Sequence, residues 1–380
     1  MPAFSLNRLP TWIRVLLVFA ALYVFLVGIG SMSTAFKAMG KDYTKELLGN
    51  PAGPLVSLFI GILATTLVQS SSTTTSLVVG LVAAGAIPYH SAIYMVMGAN
   101  VGTTVTNTIV SLGHITRSAE YQRAFAAATV HDFFNLLVLL VLFPLEVATG
   151  FLDWLAKGAT TMFGDVGGLK LASPIKLVTK PAIGALSDAV ESMGAGGWLL
   201  LAIALLCTFG GLIMLVKVLK SIMVTKLENL FDRVIFKSAG RGLVFGVLFT
   251  VLVQSSSVTT SLAVPLVGAG ILTIAQVLPY TMGANVGTTV TALLAALAAY
   301  AAVNVADASA VHAATLGLQV AFHHVLFNVI GVILVWKIRW IPIRIAEWFA
   351  RLAAWNRFIP LAYILITFYV LPFLVIWLGR

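Results

Sequence analysis

The sequence predicts an all-α polytopic membrane protein built from two inverted-topology repeats, each with a re-entrant hairpin at a QSSS motif and a helix broken at a GANVGTT motif. Three observations carry this. Of 380 residues, 60% are hydrophobic and 9% charged, with a mean hydropathy of +1.02, whereas soluble domains are about one-quarter charged. Apolar stretches near 12–30, 125–145, 198–218, 312–336 and 358–377 approach the roughly 20 residues that a helix needs to cross a bilayer. Finally, Gly61–Ser111 aligns with Gly246–Ala296 at a constant offset of 185, without gaps, with 28 identities in 51 positions. A membrane β-barrel would alternate polar and apolar residues instead.

Residues 1–50 read as the first transmembrane helix and an outer loop. Arg8 and Arg14 introduce an apolar stretch that is too long for a signal peptide and has no cleavage site near 26–33, so this helix is expected to be retained. Residues 51–146 form repeat one: hairpin, broken helix and span. The arms beside QSSS, Pro54–Val68 and Thr73–Ile87, are each too short to cross, so the chain is expected to dip in and return. Irregular backbone at membrane depth is tolerated only where it is buried in protein or lines a cavity. Gly98 and Gly102, like Gly283 and Gly287, would permit an unwound break in the following segment.

Residues 147–196 are the outer connecting segment, and 197–337 form repeat two. A weaker echo, "VHDFFN" at Val130 and "HHVLFN" at His323, follows at an offset of 193. Residues 338–380 supply an interfacial helix and the last transmembrane helix. In the former, Trp340, Ile345, Trp348 and Phe349 alternate with Arg339, Arg344, Arg351 and Arg357, the pattern of a helix lying in the membrane surface.

With a hairpin counted as no crossing, each unit crosses three times, so the second copy enters the membrane upside down. Charge supports this. With the N-terminus inside, the inner segments collect 15 of the 23 Lys and Arg, and the outer ones hold eight of the 13 acids, as the positive-inside rule requires. The reading places a multi-pass protein in the plasma membrane with its N-terminus in the cytoplasm. A net charge of +10 would suggest nucleic acid in a soluble protein. Here the charges flank membrane segments without interleaved exposed aromatics, so no nucleic-acid partner is expected. Cys207 lies alone in an apolar segment, which excludes an intrachain disulfide.

Polar residues inside a membrane domain are expensive, and runs of them mark a site. Single Ser and Thr residues can glue helices together. Packing does not explain Gln69, Ser70, Ser71 and Ser72 repeated as Gln254, Ser255, Ser256 and Ser257. Half-helix N-termini carry about +0.5 charge and free N–H groups, and inverted repeats place such broken helices at a midplane site. Two QSSS turns brought together would surround an oxyanion with donors. From Gly53 to Gly113 and from Gly242 to Tyr300 there is no Lys, Arg, Asp or Glu, so the site lacks a fixed countercharge and a multiply charged anion needs cations beside it. Gln254, Ser255, Thr288 and Thr291 could supply hard oxygen ligands. Sodium is the expected coupling ion, protons the competitor, and no organic cofactor is called for.

Asp132 is the acid inside a predicted span, with Val325 in its place in the second copy. It could hold one more cation, or be hydrogen-bonded to the adjacent His131. The residues His114, His312, His323 and His324 show no ligand spacing and read as structural.

On both QSSS motifs, both GANVGTT motifs, "TNTIVSL" (Thr106–Leu112) and "RAFAAATVHDFFNLLVLLVLFPLE" (Arg123–Glu146), the chain resembles the type II sodium-dependent phosphate cotransporters, as a bacterial-type member, over most of residues 50–340. The resemblance implies inorganic phosphate held between the two QSSS turns. It also implies sodium near Gln254, Ser255, Thr288 and Thr291, with Thr103 the repeat-one counterpart of Thr288 and Asn100 close by. Asp132 matches the aspartate of the electrogenic members, so the implied function is electrogenic, sodium-coupled phosphate uptake by alternating access. The larger animal members have an outer-loop disulfide and long cytoplasmic tails; this sequence shows neither, so their trafficking regulation is not transferred. A membrane serine hydrolase would need a nucleophile elbow or an acid or base beside its serine, and neither is present: no enzyme is expected. A sodium- or proton-coupled transporter of another oxyanion, and an anion channel, stay open alternatives, as does the oligomeric state.

Overall fold

A computed structural model describes residues 9–39, 53–115, 118–165, 172–231, 238–304 and 306–379, and regular structure among them is helical. The first outer loop and the inner charges Arg8, Arg117, Arg233 and Lys237 lie outside the described residues. Helix α1 is Thr11–Met39. The first half then runs through α2 (Pro54–Val68), α3 (Ser71–Ala83), α4 (Tyr89–Gly102), α5 (Val105–Ser111) and α6 (Ser118–Thr149). Two helices, α7 (Phe151–Asp165) and α8 (Ala172–Ser192), and the long α9 (Gly197–Phe231) lead to the second half. That half comprises α10 (Ala239–Val253), α11 (Ser256–Gly268), α12 (Ile274–Ala302) and α13 (Ala308–Trp336), and α14 (Trp340–Trp355), α15 (Phe358–Leu365) and α16 (Leu371–Leu378) follow.

Among the described residues six helical segments are long and apolar enough to cross a bilayer: Thr11–Met32, Ser118–Thr149, Gly197–Leu215, Ile274–Ala302, Ala308–Trp336 and Phe358–Leu378. The chain is a multi-pass membrane protein. Its last span is interrupted by a π-turn at Ile366–Val370. Pro372 has no N–H for the ladder and its ring would press on the carbonyl of Phe368, and the wider turn relieves both effects.

A short helix precedes and follows each QSSS motif. In the first half the second of them runs Ser71–Ala83, starting two residues and ending four residues before the expected arm. Pro54 opens α2, and Gln69 closes it in the left-handed region at φ 57°. Helix α3 already begins at Ser71, so most of the hydroxyl run is helical. Thr74 and Thr75 donate to the carbonyls of Ser70 and Ser71 at 3.1 and 2.8 Å. Such back-bonding satisfies hydroxyls without water.

Helix α12 corrects the expectation of a second break, because it runs unbroken from Ile274 to Ala302 through GANVGTT. In repeat one the same motif loosens only at Thr103 and Thr104, between α4 and α5. The glycines serve close packing instead. A Cβ on Gly283 would sit 2.0 Å from the carbonyl oxygen of Leu243, and one on Gly98 would sit 2.0 Å from that of Leu58. These two contacts are the same contact at an offset of 185.

Other contacts recur with the halves exchanged. Helix α3 packs on α12 and α13, while α11 packs on α5 and α6. Gly317 of α13 faces Ala83 of α3, and Gly268 of α11 faces Ala124 of α6; these four positions interchange at offsets of 185 and 193. Helices α7 and α14 complete the pattern, with α7 folding back from α6 onto α13 and α14 folding back from α13 onto α6. In α14 the buried residues are Pro342, Ala346, Ala350 and Ala353, one stripe at helical spacing.

Candidate functional site

The two QSSS turns share one backbone design. Gln69 and Gln254 adopt the left-handed conformation at φ 57° and 55°, which costs a non-glycine residue roughly 1–2 kcal/mol. Three bonds offset it. The backbone N–H of each donates to Thr65 or Thr250 at 2.7 Å, and the side-chain Nε2 to the carbonyl of Thr66 or Val251. Oε1 accepts from Thr106 in repeat one (2.8 Å) and from Thr291 in repeat two (2.7 Å). Each glutamine therefore pins its turn to the second residue after GANVGTT, on α5 in the first half and within the unbroken α12 in the second.

Ser70 and Ser255 are the N-caps of α3 and α11, accepting from the N–H of Thr73 and Val258 at 3.3 Å each. A cap uses one of the four orphan donors of a helix start. The others point out of the helix end, beside Ser71 and Ser72 in one half and Ser256 and Ser257 in the other. All four serines are buried. The hydroxyl of Ser72 has no hydrogen-bond partner, so it can take up an added oxygen.

The link between the turns runs through α5. Thr106 donates to Gln69, while the next residue, Asn107, accepts from Thr260 of α11 at 2.9 Å. Repeat two has Ala292 in place of Asn107, so this strut exists once.

Of the expected cation ligands, the structure joins Gln254 to Thr291, with Ser255 next in the chain. Thr288 lies one turn before Thr291 and donates to the carbonyl of Ala284 at 2.9 Å. Asn100 and Thr103, on and just after α4, donate to Val96 and Ala99 at 2.9 and 3.0 Å. The set is made of neutral oxygens, which suits a hard monovalent cation. Among the described residues no three His, Cys, Asp or Glu side chains gather as a metal site.

Asp132 is 1% exposed and lies beside Thr104, the neighbour of Thr103. Its Oδ2 accepts from the hydroxyl of Tyr363 at 3.0 Å, and its Oδ1 has no partner. The alternative pairing with His131 is not formed, because successive residues on α6 point to different sides of the helix. His131 donates to Oδ1 of Asn285 at 2.6 Å; Asn285 donates to Asn135 at 2.7 Å, and Asn135 to the carbonyl of Asn100 at 3.0 Å. His324 approaches Oδ1 of Asn100 at 3.4 Å. His131 and His324 match at an offset of 193, Asn285 and Asn100 at 185. Each half's histidine thus reaches the GANVGTT asparagine of the other. Sequence reasoning had missed Tyr363, Asn285, Asn135 and Asn107. The occurrence of the His and Asn in both copies was the available signal for the crossed pairs; Tyr363 left none.

Fold and site together define an internally duplicated, multi-pass helical membrane protein whose halves share one buried polar centre without fixed charge at its turns. The model of the Na+/Pi-cotransporter family matches residues 24–157 and 208–339, and the chain belongs to that family. It is 33% identical to sodium-dependent phosphate transport protein 2A of Ovis aries, over 97% of this chain and 68% of that protein. It is 31% identical to sodium-dependent phosphate transport protein 2B of Homo sapiens, over 96% of this chain and 65% of that one. It is also 33% identical to protein 2A of Rattus norvegicus, over 96% and 67%. The chain thus spans about two thirds of the length of these relatives. No solved structure matches it.

Proposed function

We propose that the chain is a sodium-coupled importer of inorganic phosphate, electrogenic, working by alternating access around a midplane site made by both QSSS turns. Family membership supports the substrate and the coupling ion, since the relatives are named for sodium-dependent phosphate transport. The observation that carries the site is the pair of matching turns, each a buried helix start with serine hydroxyls, pinned by a glutamine to its own half.

In this mechanism Ser70, Ser71, Ser72, Ser255, Ser256 and Ser257, with the free N–H groups of α3 and α11, hold the phosphate oxygens, and Gln69 and Gln254 fix the turns. Sodium binds beside the anion on Gln254, Ser255, Thr288 and Thr291, with Asn100 and Thr103 the corresponding oxygens of the first half. Asp132, through its unpartnered Oδ1, takes the further sodium that makes the cycle carry net charge. Hairpin one enters from outside and hairpin two from the cytoplasm, where the N-terminus lies, in the plasma membrane. Contacts that recur with the halves exchanged support an inverted arrangement, in which opening on one side is closing on the other.

Labelled phosphate uptake into proteoliposomes tests the reading. Accumulation should require an inward sodium gradient. Phosphate flux without that gradient would favour a channel, and sodium-driven uptake of another oxyanion in preference to phosphate would change the substrate.

A further inference from the structure

Helices α7 and α14 occupy equivalent places, yet the corners beneath them differ. Under α7 the corner is filled. Tyr89 donates to Asp153, Gln319 donates to both at 2.7 Å, and Lys157 donates to the other carboxylate oxygen at 2.8 Å. The positions matching Tyr89 and Gln319 are Ile274 at an offset of 185 and Ala126 at 193. Around these two smaller, apolar residues, under α14, lies an open cleft of about 510 Å³.

The cleft's charged lining comes from two helices: Arg123 from α6, and Glu347 and Arg351 from α14. Gly270 and Thr273, in the turn leading to α12, close a third side. Nε and Nη2 of Arg123 both donate to the carbonyl of Gly268, at 3.0 and 2.8 Å. This fixes the guanidinium at the wall, with Nη1 left out of that bond. Arg351 is exposed, one turn after Glu347 on the same face of α14. The lining therefore carries two guanidinium groups against one carboxylate.

We propose that this cleft is a second anion site, separate from the QSSS turns, that takes a phosphate group between Arg123 and Arg351, from inorganic phosphate or from the headgroup of an anionic phospholipid. Guanidinium groups match phosphate oxygens in geometry and stay charged at any working pH. Two of them approaching from different helices clamp a tetrahedral anion from two sides. The carboxylate of Glu347 opposes the bound charge and sets the affinity below what the arginines alone would give.

The test uses the full chain carrying Ser71→Ala and Ser256→Ala, purified in neutral detergent, so that the site is read independently of the turns. Inorganic phosphate is titrated by calorimetry, and phosphatidic acid and phosphatidylcholine are each offered in native mass spectrometry. Binding of phosphate identifies a free-anion site, and binding of phosphatidic acid but not phosphatidylcholine identifies a headgroup site; either supports the cleft. Arg351→Glu should weaken that binding by roughly tenfold or more, as expected for a lost charged hydrogen bond. Arg351→Lys should retain part of it, and Glu347→Gln should tighten it. Arg351 is exposed on α14, so these variants leave the core intact. Binding of neither probe, equal binding of both lipids, or binding unmoved by Arg351→Glu overturns the proposal.

Discussion

Replacing Gly283 by alanine should destabilise the protein, although alanine is the better helix former. The added Cβ would lie 2.0 Å from the carbonyl oxygen of Leu243 and 2.9 Å from both its carbonyl carbon and the nitrogen of Val247. A carbon ordinarily approaches a carbonyl oxygen no closer than about 3.3 Å, so α10 and α12 must separate locally by more than about 1 Å. Overpacking of this kind costs about 1–3 kcal/mol, more when the obstruction is main chain. The intrinsic gain of alanine over glycine is at most about 1 kcal/mol. Gly210 of α9 is the control, since a Cβ there meets nothing within 4 Å, and its alanine variant should gain stability. Thermal unfolding of the two variants in detergent, followed by tryptophan fluorescence, separates the cases. Gly283→Ala should melt below the parent and Gly210→Ala at or above it. Gly98→Ala should repeat the loss, because its Cβ meets Leu58 at the same 2.0 Å. If Gly283→Ala melts with Gly210→Ala, the close-packing account of the GANVGTT glycines is wrong.

Ser71→Ala and Ser256→Ala should each impair sodium-driven phosphate uptake in proteoliposomes, because neither turn has a basic residue in reserve; parental uptake by either folded variant would end the shared-site reading. In a Cys207→Ala background, an impermeant thiol reagent should label Lys180→Cys from outside and Arg241→Cys only after permeabilisation. The same side for both would sink the inverted arrangement. Asp132→Gly should keep phosphate uptake but lose its response to a potential imposed with valinomycin and potassium. One charge moving through 100 mV is worth about 2.3 kcal/mol, and an unchanged response would leave Asp132 a structural residue held by Tyr363.

The hairpin arms were legible because their limits are local. Pro54 can start a helix, and an apolar run of fifteen residues ending at Gln69 is too short to cross. The start of α3 was set two residues late because a hydroxyl run reads as loop. Back-bonding to the preceding turn, which keeps it helical, depends on the helix already being there. The GANVGTT glycines were ambiguous in principle, since glycine serves both an unwound backbone and a close helix crossing, and only the neighbour decides. That neighbour is α10, about 40 residues away in sequence. Tyr363 lies 231 residues from Asp132 and in a segment outside both repeats, so no internal comparison could reveal it. Helix α7 was hidden inside a connecting segment, although it holds the place that α14 holds in the other half.

The exchange of Ala83–Gly317 for Ala124–Gly268 has a bearing on ancestry. Two surfaces that interlock in this reciprocal way are what a single half-length chain would present to a second copy of itself, so the contacts fit a homodimer as well as they fit a fused chain. In such a dimer every residue would occur twice. Asp132 with Val325 at the matching place, and Asn107 with Ala292, mark where the halves have diverged. A fused chain can therefore own an odd number of buried charges, as a dimer of identical halves cannot.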